Sequence, residues 1–217
     1  TSQRLRAIAS ATSNSATWRM QAVGHSSHSG QTIGNEKFLI YNSIMHVLDK
    51  FQYCPICGSP HFEINNIKSK KCKDCGFSYY LNASSATVAL IVNEKDELLV
   101  VRRKNDPGKD MLDMPGGFVD MDETGEEAMA REVKEETGLE ATEVSYQFSY
   151  PNTYLYSGFL VHTLDMFFKV KVKDLSHIEA MDDAAAYYWI PFSEIDIDKF
   201  AFDSIKKGLT RFLMDLR

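Results

Sequence analysis

The sequence predicts an α/β domain preceded by a small ribbon stapled by cysteines, and three patterns carry that prediction. Four cysteines stand in two Cys-x-x-Cys-Gly knuckles between Cys54 and Cys75. From Thr87 onward, short runs of Val, Ile, Leu and Phe alternate with polar turns, as strands do. Among them one segment, Glu126 to Thr137, has an acidic first turn, no internal Gly or Pro, and Gly138 where a C-terminal cap belongs, which reads as a helix.

At 217 residues, 44% hydrophobic and 25% charged, the chain is long enough for one sizeable core and a small appendage. Its longest apolar run, Ala86 to Val92, is broken by Thr87 and falls far short of the ~20 residues of a spanning helix, so a transmembrane reading is excluded. Residues 1–44 are rich in Ser, Thr, Ala and Gln, carry no acid before Glu36 and show no periodicity; they read as a disordered or non-native extension, with the folded part starting near Met45. Residues 45–82 form the ribbon and residues 83–217 the α/β body.

In the ribbon, Cys54, Cys57, Cys72 and Cys75 use every thiol of the chain. Two disulfides are one reading; two tight knuckles whose thiolates converge on tetrahedral Zn²⁺ are the other, favoured by the repeated two-residue gap with Gly58 and Gly76 after each second cysteine. Such a closed site is structural, and zinc thiolates imply a reducing, cytoplasmic location.

In the body, Thr87 to Val92 and Leu98 to Arg103 read as the strands of a hairpin around Asn93 to Glu97. A short strand leads into Pro115-Gly116-Gly117, and the helix follows. Further strands are predicted at Val144 to Ser149, Leu164 to Val172 and Tyr187 to Ile190, with a last helix from about Asp203 to Leu216 whose Ile205, Leu209, Phe212 and Leu213 make one stripe.

Charge is uneven. Of the net −6, residues 1–44 hold +3 and residues 45–82 hold +2, leaving −11 for the body. A body this acidic meets a phosphate-bearing ligand only with divalent cations between them. Within the helix Glu132, Glu135 and Glu136 occupy i, i+3 and i+4, one face. Alone they are compatible with a solvated acidic face, since exposed like charges cost only ~0.2–0.5 kcal/mol per pair.

The full string decides between these readings. Gly117, five residues, Glu123, seven residues, Arg131-Glu132-Val133, one residue, Glu135-Glu136, one residue, Gly138-Leu139 resembles the complete signature of the Nudix hydrolases. The resemblance implies an α/β/α sandwich with a mixed sheet. It implies Mg²⁺ or Mn²⁺ held by Glu132, Glu135 and Glu136 with help from the Gly117 carbonyl, Arg131 orienting a glutamate, and Glu123 bracing the loop against the helix. The reaction implied is hydrolysis of a diphosphate linked to a nucleoside, without a covalent nucleophile.

A four-cysteine ribbon ahead of this box is similar to the NADH pyrophosphatase branch, over roughly residues 51 to 215. That branch places Ser-Gln-Pro-Trp ten residues after the box; here Ser149-Tyr150-Pro151-Asn152 keeps Ser and Pro but not Gln or Trp. ADP-ribose or a similar ADP-sugar is therefore placed first as substrate and NAD(H) second, with Tyr150, Tyr154 and Tyr156 as candidates to stack a base. Zinc-ribbon members often pair, which implies a homodimer. Many members also carry a later glutamate, three residues before the aromatic of a strand ending in proline. Trp189-Ile190-Pro191 ends that strand here and the position is Ala186, so Ala186→Glu is expected to raise turnover. In its absence Glu132 or Glu135 takes the proton from water, or Glu179, Asp182 or Asp183 reaches in from the loop.

A different class, a nucleotide-sensing or nucleic-acid-binding module, rests on Lys68, Lys70, Lys71 and Lys73 ahead of Phe77, Tyr79 and Tyr80. A net +2 is weak for that role, and the box keeps every glutamate.

Overall fold

The computed structural model describes residues 46–175, 178 and 184–216. The extension expected over residues 1–44 and the candidate bases Glu179, Asp182 and Asp183 lie outside the described residues.

The ribbon is a three-stranded antiparallel sheet: β1 (Phe62–Asn66), β2 (Ser69–Cys72) and β3 (Ser78–Tyr80), in that order. Each knuckle closes the same way. Gly58 N–H donates to the Cys54 carbonyl and Gly76 N–H to that of Cys72, at 2.9 and 3.1 Å. Both glycines sit at φ near +75° (71° and 79°), and neither would meet anything within 4 Å if it carried a Cβ. They are required by the left-handed turn and not by space. Beneath the knuckles lies a small core of Cys54, Phe62 and Cys72, flanked by Phe77 and Tyr79.

The body begins with β4 (Ser84–Leu90) and β5 (Glu97–Arg103), followed by β6 (Leu112–Asp113), helix α1 (Gly125–Thr137), β7 (Ala141–Tyr156), β8 (Phe159–Val172), β9 (Ala184–Pro191) and helix α2 (Asp203–Asp215). One sheet has the order β4-β8-β7, with β4 parallel to β8 and β8 antiparallel to β7; the other has the order β6-β5-β9 and is antiparallel. Alternate residues of β4 and β5 feed two cores. Val88, Leu90, Leu98 and Val100 pack with Phe167 and with Ile205, Leu209 and Phe212 of α2, whereas Ala89, Ile91 and Leu99 pack with Phe168 and with Met129 and Val133 of α1. Strands covered on both faces read as unbroken apolar runs. The result is the α/β/α sandwich with a mixed sheet that the sequence predicts.

The expected hairpin of the first two body strands is reduced to its turn. Only the bridge Val92↔Leu98 joins them, because β4 takes β8 as its ladder partner and β5 takes β9. β7 is also far longer than expected: it runs through Pro151, which pairs with Leu164. As the edge strand of its sheet, β7 tolerates a residue that donates no hydrogen bond.

Helix α2 approaches β8 through Gly208. A Cβ there would lie 2.2 Å from the ring of Phe167, which is fully buried. Gly208→Ala gains ~1 kcal/mol of helix propensity but overpacks a core with nowhere to relax. We expect a net loss of about 2 kcal/mol and a melting temperature lower by several degrees; an unchanged or higher value in a calorimetric scan would refute this packing.

Candidate active site

Helix α1 is fixed at both ends. Thr124 and Glu127 form a reciprocal capping box, and Gly138 closes the helix in the left-handed conformation with its N–H on the Lys134 carbonyl. The four-residue spacing turns Val133 and Met129 into the core and sends Arg131, Glu132 and Glu135 to the other side.

Arg131 is the hub of that side. Its Nε and Nη2 donate to the two carboxylate oxygens of Glu123, both at 2.9 Å; Nη1 donates to Glu132 Oε1 at 2.8 Å and Glu135 Oε2 at 3.0 Å; Nη2 also reaches the Phe118 carbonyl at 3.0 Å. Glu123 in turn accepts from the Asp120 N–H, so loop and helix are tied through one planar, bidentate cation. The guanidinium holds Glu123 below the usual carboxylate range. Burial pushes the Glu132 carboxyl up, against the pull of Arg131.

The loop carrying the glycines lies along the free edge of β4. Thr87 N–H donates to the Gly117 carbonyl, Ala89 N–H to that of Pro115 and Val119 N–H to that of Ser85, at 2.8, 2.8 and 3.0 Å. On its other side Gly116 N–H donates to Glu136 Oε2 at 2.9 Å. Neither glycine has room for a side chain: a Cβ on Gly117 would come 2.6 Å from the Glu132 carboxylate, and one on Gly116 would come 2.1 Å from the Thr87 carbonyl oxygen.

This arrangement corrects the expectation for the Gly117 carbonyl. That oxygen accepts from both Thr87 N–H and Thr87 Oγ1 and is turned toward β4. Extended backbone alternates, so the carbonyls of Pro115 and Gly117 share the β4 side and that of Gly116 takes the opposite one, where its N–H already meets Glu136. Glu136 also anchors β9, since Tyr187 Oη donates to its backbone carbonyl at 2.6 Å.

Ala186 does not face this site. It pairs with Arg102 on β5, and by alternation it is turned away from α1, toward which its neighbours Tyr187 and Trp189 pack. Arg102 Nε is buried without a hydrogen-bond partner among the described residues. We therefore expect Ala186→Glu to raise the melting temperature by pairing with Arg102 and to leave turnover near wild type; a gain of ten-fold in kcat without added stability would reverse this assignment.

Beside the glycine loop opens a cavity of 540 Å³, within the range of small-ligand sites. Gly116, Gly117 and Phe118 form one wall, Tyr154, Tyr156 and Phe202 line it with aromatic rings, and Asp113 and Asp165 lie in its lining, buried. The three candidate tyrosines part company: Tyr154 and Tyr156 line the cavity, whereas Tyr150 packs edge-on against Phe148 and Phe167. Burial pushes both the Tyr154 phenol and the Asp113 carboxyl up, the latter against its ion pair with Arg103 at 2.7 Å. Arg103, Asp113 and Asp165 were not legible as site residues, although a lone acid inside Leu164-Asp165-Met166-Phe167-Phe168 is a signal, because buried carboxylates are rare unless partnered.

In the ribbon the four thiols converge. Their sulfurs lie within 4.8 Å of one another, and Cys54–Cys75 and Cys57–Cys72 are each 3.6 Å apart. A tetrahedron with metal–sulfur bonds of ~2.3 Å has edges of ~3.8 Å, so the separations suit a shared ion. The Cys75 N–H pulls the Cys72 thiol down to about 6. Two of the four ribbon lysines singled out above are engaged: Lys70 is buried with its Nζ on the Phe51 carbonyl at 2.7 Å, and Lys73 pairs with Glu63 at 3.3 Å.

An α/β/α sandwich with a glycine loop laid against a helix of spaced glutamates defines a class of metal-assisted hydrolases. The family profile described as NUDIX domain matches residues 82–212, and the chain belongs to the Nudix family. It is similar to the NAD-capped RNA hydrolase NudC of Vibrio atlanticus, 30% identical over 106 residues, 49% of this chain and 39% of that protein. It is also similar to the ADP-ribose pyrophosphatase of Methanocaldococcus jannaschii, 48% identical over 64 residues, 29% of this chain and 37% of that protein. The chain thus spans about two fifths of the length of these curated relatives. A Nudix hydrolase from Nitrosomonas europaea shares the fold, with a TM-score of 0.59 at 21% identity over 76% of this chain and 91% of that one. No helix among the described residues is long and apolar enough to cross a membrane.

Proposed function

We propose that the chain hydrolyses the diphosphate bond of a nucleoside diphosphate linked to a second group, with ADP-ribose or a similar ADP-sugar first and NAD(H) second, releasing a nucleoside monophosphate. The observation that carries this reading is the Arg131-anchored set of glutamates packed against the Gly116-Gly117 loop at the wall of a nucleotide-sized cavity.

The donor set fits Mg²⁺ or Mn²⁺. Glu132, Glu135 and Glu136, with the Gly116 carbonyl in place of that of Gly117, offer hard oxygen ligands of the kind these ions take. When bound, such ions neutralise the diphosphate oxygens and lower the pKa of an attacking water. The chain's own part is positional. Arg131 holds Glu132 and Glu135 in place, Glu123 locks Arg131, and Gly116 N–H orients Glu136. Water attacks phosphorus, the bridging P–O bond breaks, and the proton passes to Glu132 or Glu135, or to one of Glu179, Asp182 and Asp183.

ADP-ribose is placed ahead of NAD(H) because Asn152, which stands where the NADH branch carries tryptophan, is buried at the cavity and offers no ring for a nicotinamide. We further assign structural Zn²⁺ to the four cysteines, a homodimer, and a cytoplasmic location. The decisive experiment is a panel of ADP-ribose, NADH, NAD⁺ and nucleoside triphosphates with Mg²⁺ or Mn²⁺, products resolved by ion-pair chromatography. AMP and ribose 5-phosphate from ADP-ribose at the highest kcat/KM are expected; no cleavage of any ADP-linked diphosphate with either ion would overturn the reading. Light scattering tests the dimer.

A further inference from the structure

The cavity beside the glycine loop contains two buried carboxylates in different states. Asp113 is charge-compensated: Arg103 Nη1 binds Oδ2 at 2.7 Å, and Met114 N–H binds Oδ1 at 2.9 Å. Asp165 is not. Among the described residues its two oxygens accept only from hydroxyls, Thr163 Oγ1 at 2.6 Å and Ser204 Oγ at 2.5 Å. A carboxylate has about four acceptor positions, so about two remain on a group that is only 5% exposed and lines the cavity. Burying a carboxylate with spare acceptors is costly unless a donor arrives.

The walls indicate what kind of donor. Tyr154 and Phe202 present rings 5.3 Å apart in the same lining, and the Arg103 guanidinium lies 4.8 Å from the centre of the Phe202 ring. Flat aromatic walls with a buried acceptor among them suit a flat, nitrogen-rich heterocycle bearing N–H groups. Gly116 and Gly117 also line the space, and their other side carries Glu136 and Glu132. A base seated here therefore leaves its phosphates beside the glutamates.

Resting on the function proposed above, we infer that this cavity takes the adenine of the substrate, with Asp165 accepting from its exocyclic amine and Tyr154 supporting its ring. Asp165 is then a specificity-determining residue that the Nudix box does not contain.

Binding of products tests this without relying on turnover. Calorimetry on the full chain compares AMP with purine riboside 5′-monophosphate, which lacks only the amine, and with GMP. A hydrogen bond to a charged acceptor corresponds to roughly ten-fold to hundred-fold tighter binding of AMP than of its amine-free analogue. Asp165→Asn, checked for an intact melting transition, should shrink that ratio to below about three-fold. Should Asp165→Asn fail to fold, Tyr154→Leu provides the second arm: it should weaken AMP and its analogue alike by roughly ten-fold and keep their ratio, since stacking is indifferent to the amine. Equal binding of AMP and the analogue by wild type, tighter binding of GMP, a ratio untouched in a folded Asp165→Asn, or unchanged affinity in Tyr154→Leu would each overturn the inference. Failure of the function proposed above shows differently, as AMP bound with these preferences but no ADP-linked diphosphate cleaved.

Discussion

Glu136→Gln is expected to lower kcat by about a thousand-fold while moving the melting temperature by no more than a degree or two, because losing a ligand's charge at the reacting phosphates removes several kcal/mol of stabilisation and each 1.36 kcal/mol is ten-fold. The substitution separates charge from position. Glutamine keeps a carbonyl oxygen that accepts from Gly116 N–H at the same place, so the loop stays attached to the helix. The backbone carbonyl of residue 136 still receives Tyr187 Oη, so the link to β9 survives as well. A structural role alone would therefore leave turnover nearly intact. Steady-state kinetics on ADP-ribose at saturating Mg²⁺, beside a calorimetric scan, distinguish the two; activity within a few-fold of wild type removes Glu136 from the ligand set.

The box was legible and the cavity was not, and the difference is one of sequence distance. Glu123, Arg131, Glu132 and Glu135 meet through a loop and one helix, where a spacing of three or four residues already implies a shared face. The cysteine ribbon was legible for the same reason, with two short turns of identical closure. The cavity, in contrast, draws on β4, β5, β6, β7, β8 and α2. Asp165 reaches it because Ala86 of β4 pairs with it in parallel register, and Phe202 because α2 returns across the sheet. Parallel partners separated by some eighty residues leave no local trace. The hairpin expected between the first two body strands failed on the same ground, since a turn of the right kind between two apolar runs does not reveal that each strand has a distant partner. The Gly117 carbonyl was misassigned for a finer reason: which carbonyl of an extended loop faces the helix depends on the register of that loop against β4, and a shift of one residue exchanges the two sides.

Cys72→Ser is expected to unfold the ribbon outright and to leave the Nudix core standing. The ribbon's core cluster is Cys54, Phe62 and Cys72, with Phe77 and Tyr79 packed against it and Leu48 the one other large apolar side chain buried there; two of the three cluster residues are proposed zinc ligands. A core of that size cannot offset the conformational entropy of ordering three strands, whereas zinc bound by four thiolates supplies ~10–16 kcal/mol at neutral pH. Removing one thiolate takes most of that away and leaves the rest of the small core too weak to hold. The two large body cores share no residue with the ribbon, and among the described residues none before Ala86 lines the cavity. The ribbon meets the body at Phe51, stacked on Tyr79 at 5.9 Å and edge-on to Phe159 at 5.6 Å, a contact at the start of β8 and away from the helix of glutamates. Hydrogen exchange should therefore show protection lost across residues 62–80 and retained in β4, β5 and β8, with the one zinc per wild-type chain seen by metal analysis absent from the variant. Hydrolysis of ADP-ribose at saturating Mg²⁺ should persist within a few-fold. A wild-type protein that carries no zinc, or whose sulfurs map as two disulfides, would show that the staple is covalent; protection that survives in Cys72→Ser would show that β1, β2 and β3 hold without any staple at all.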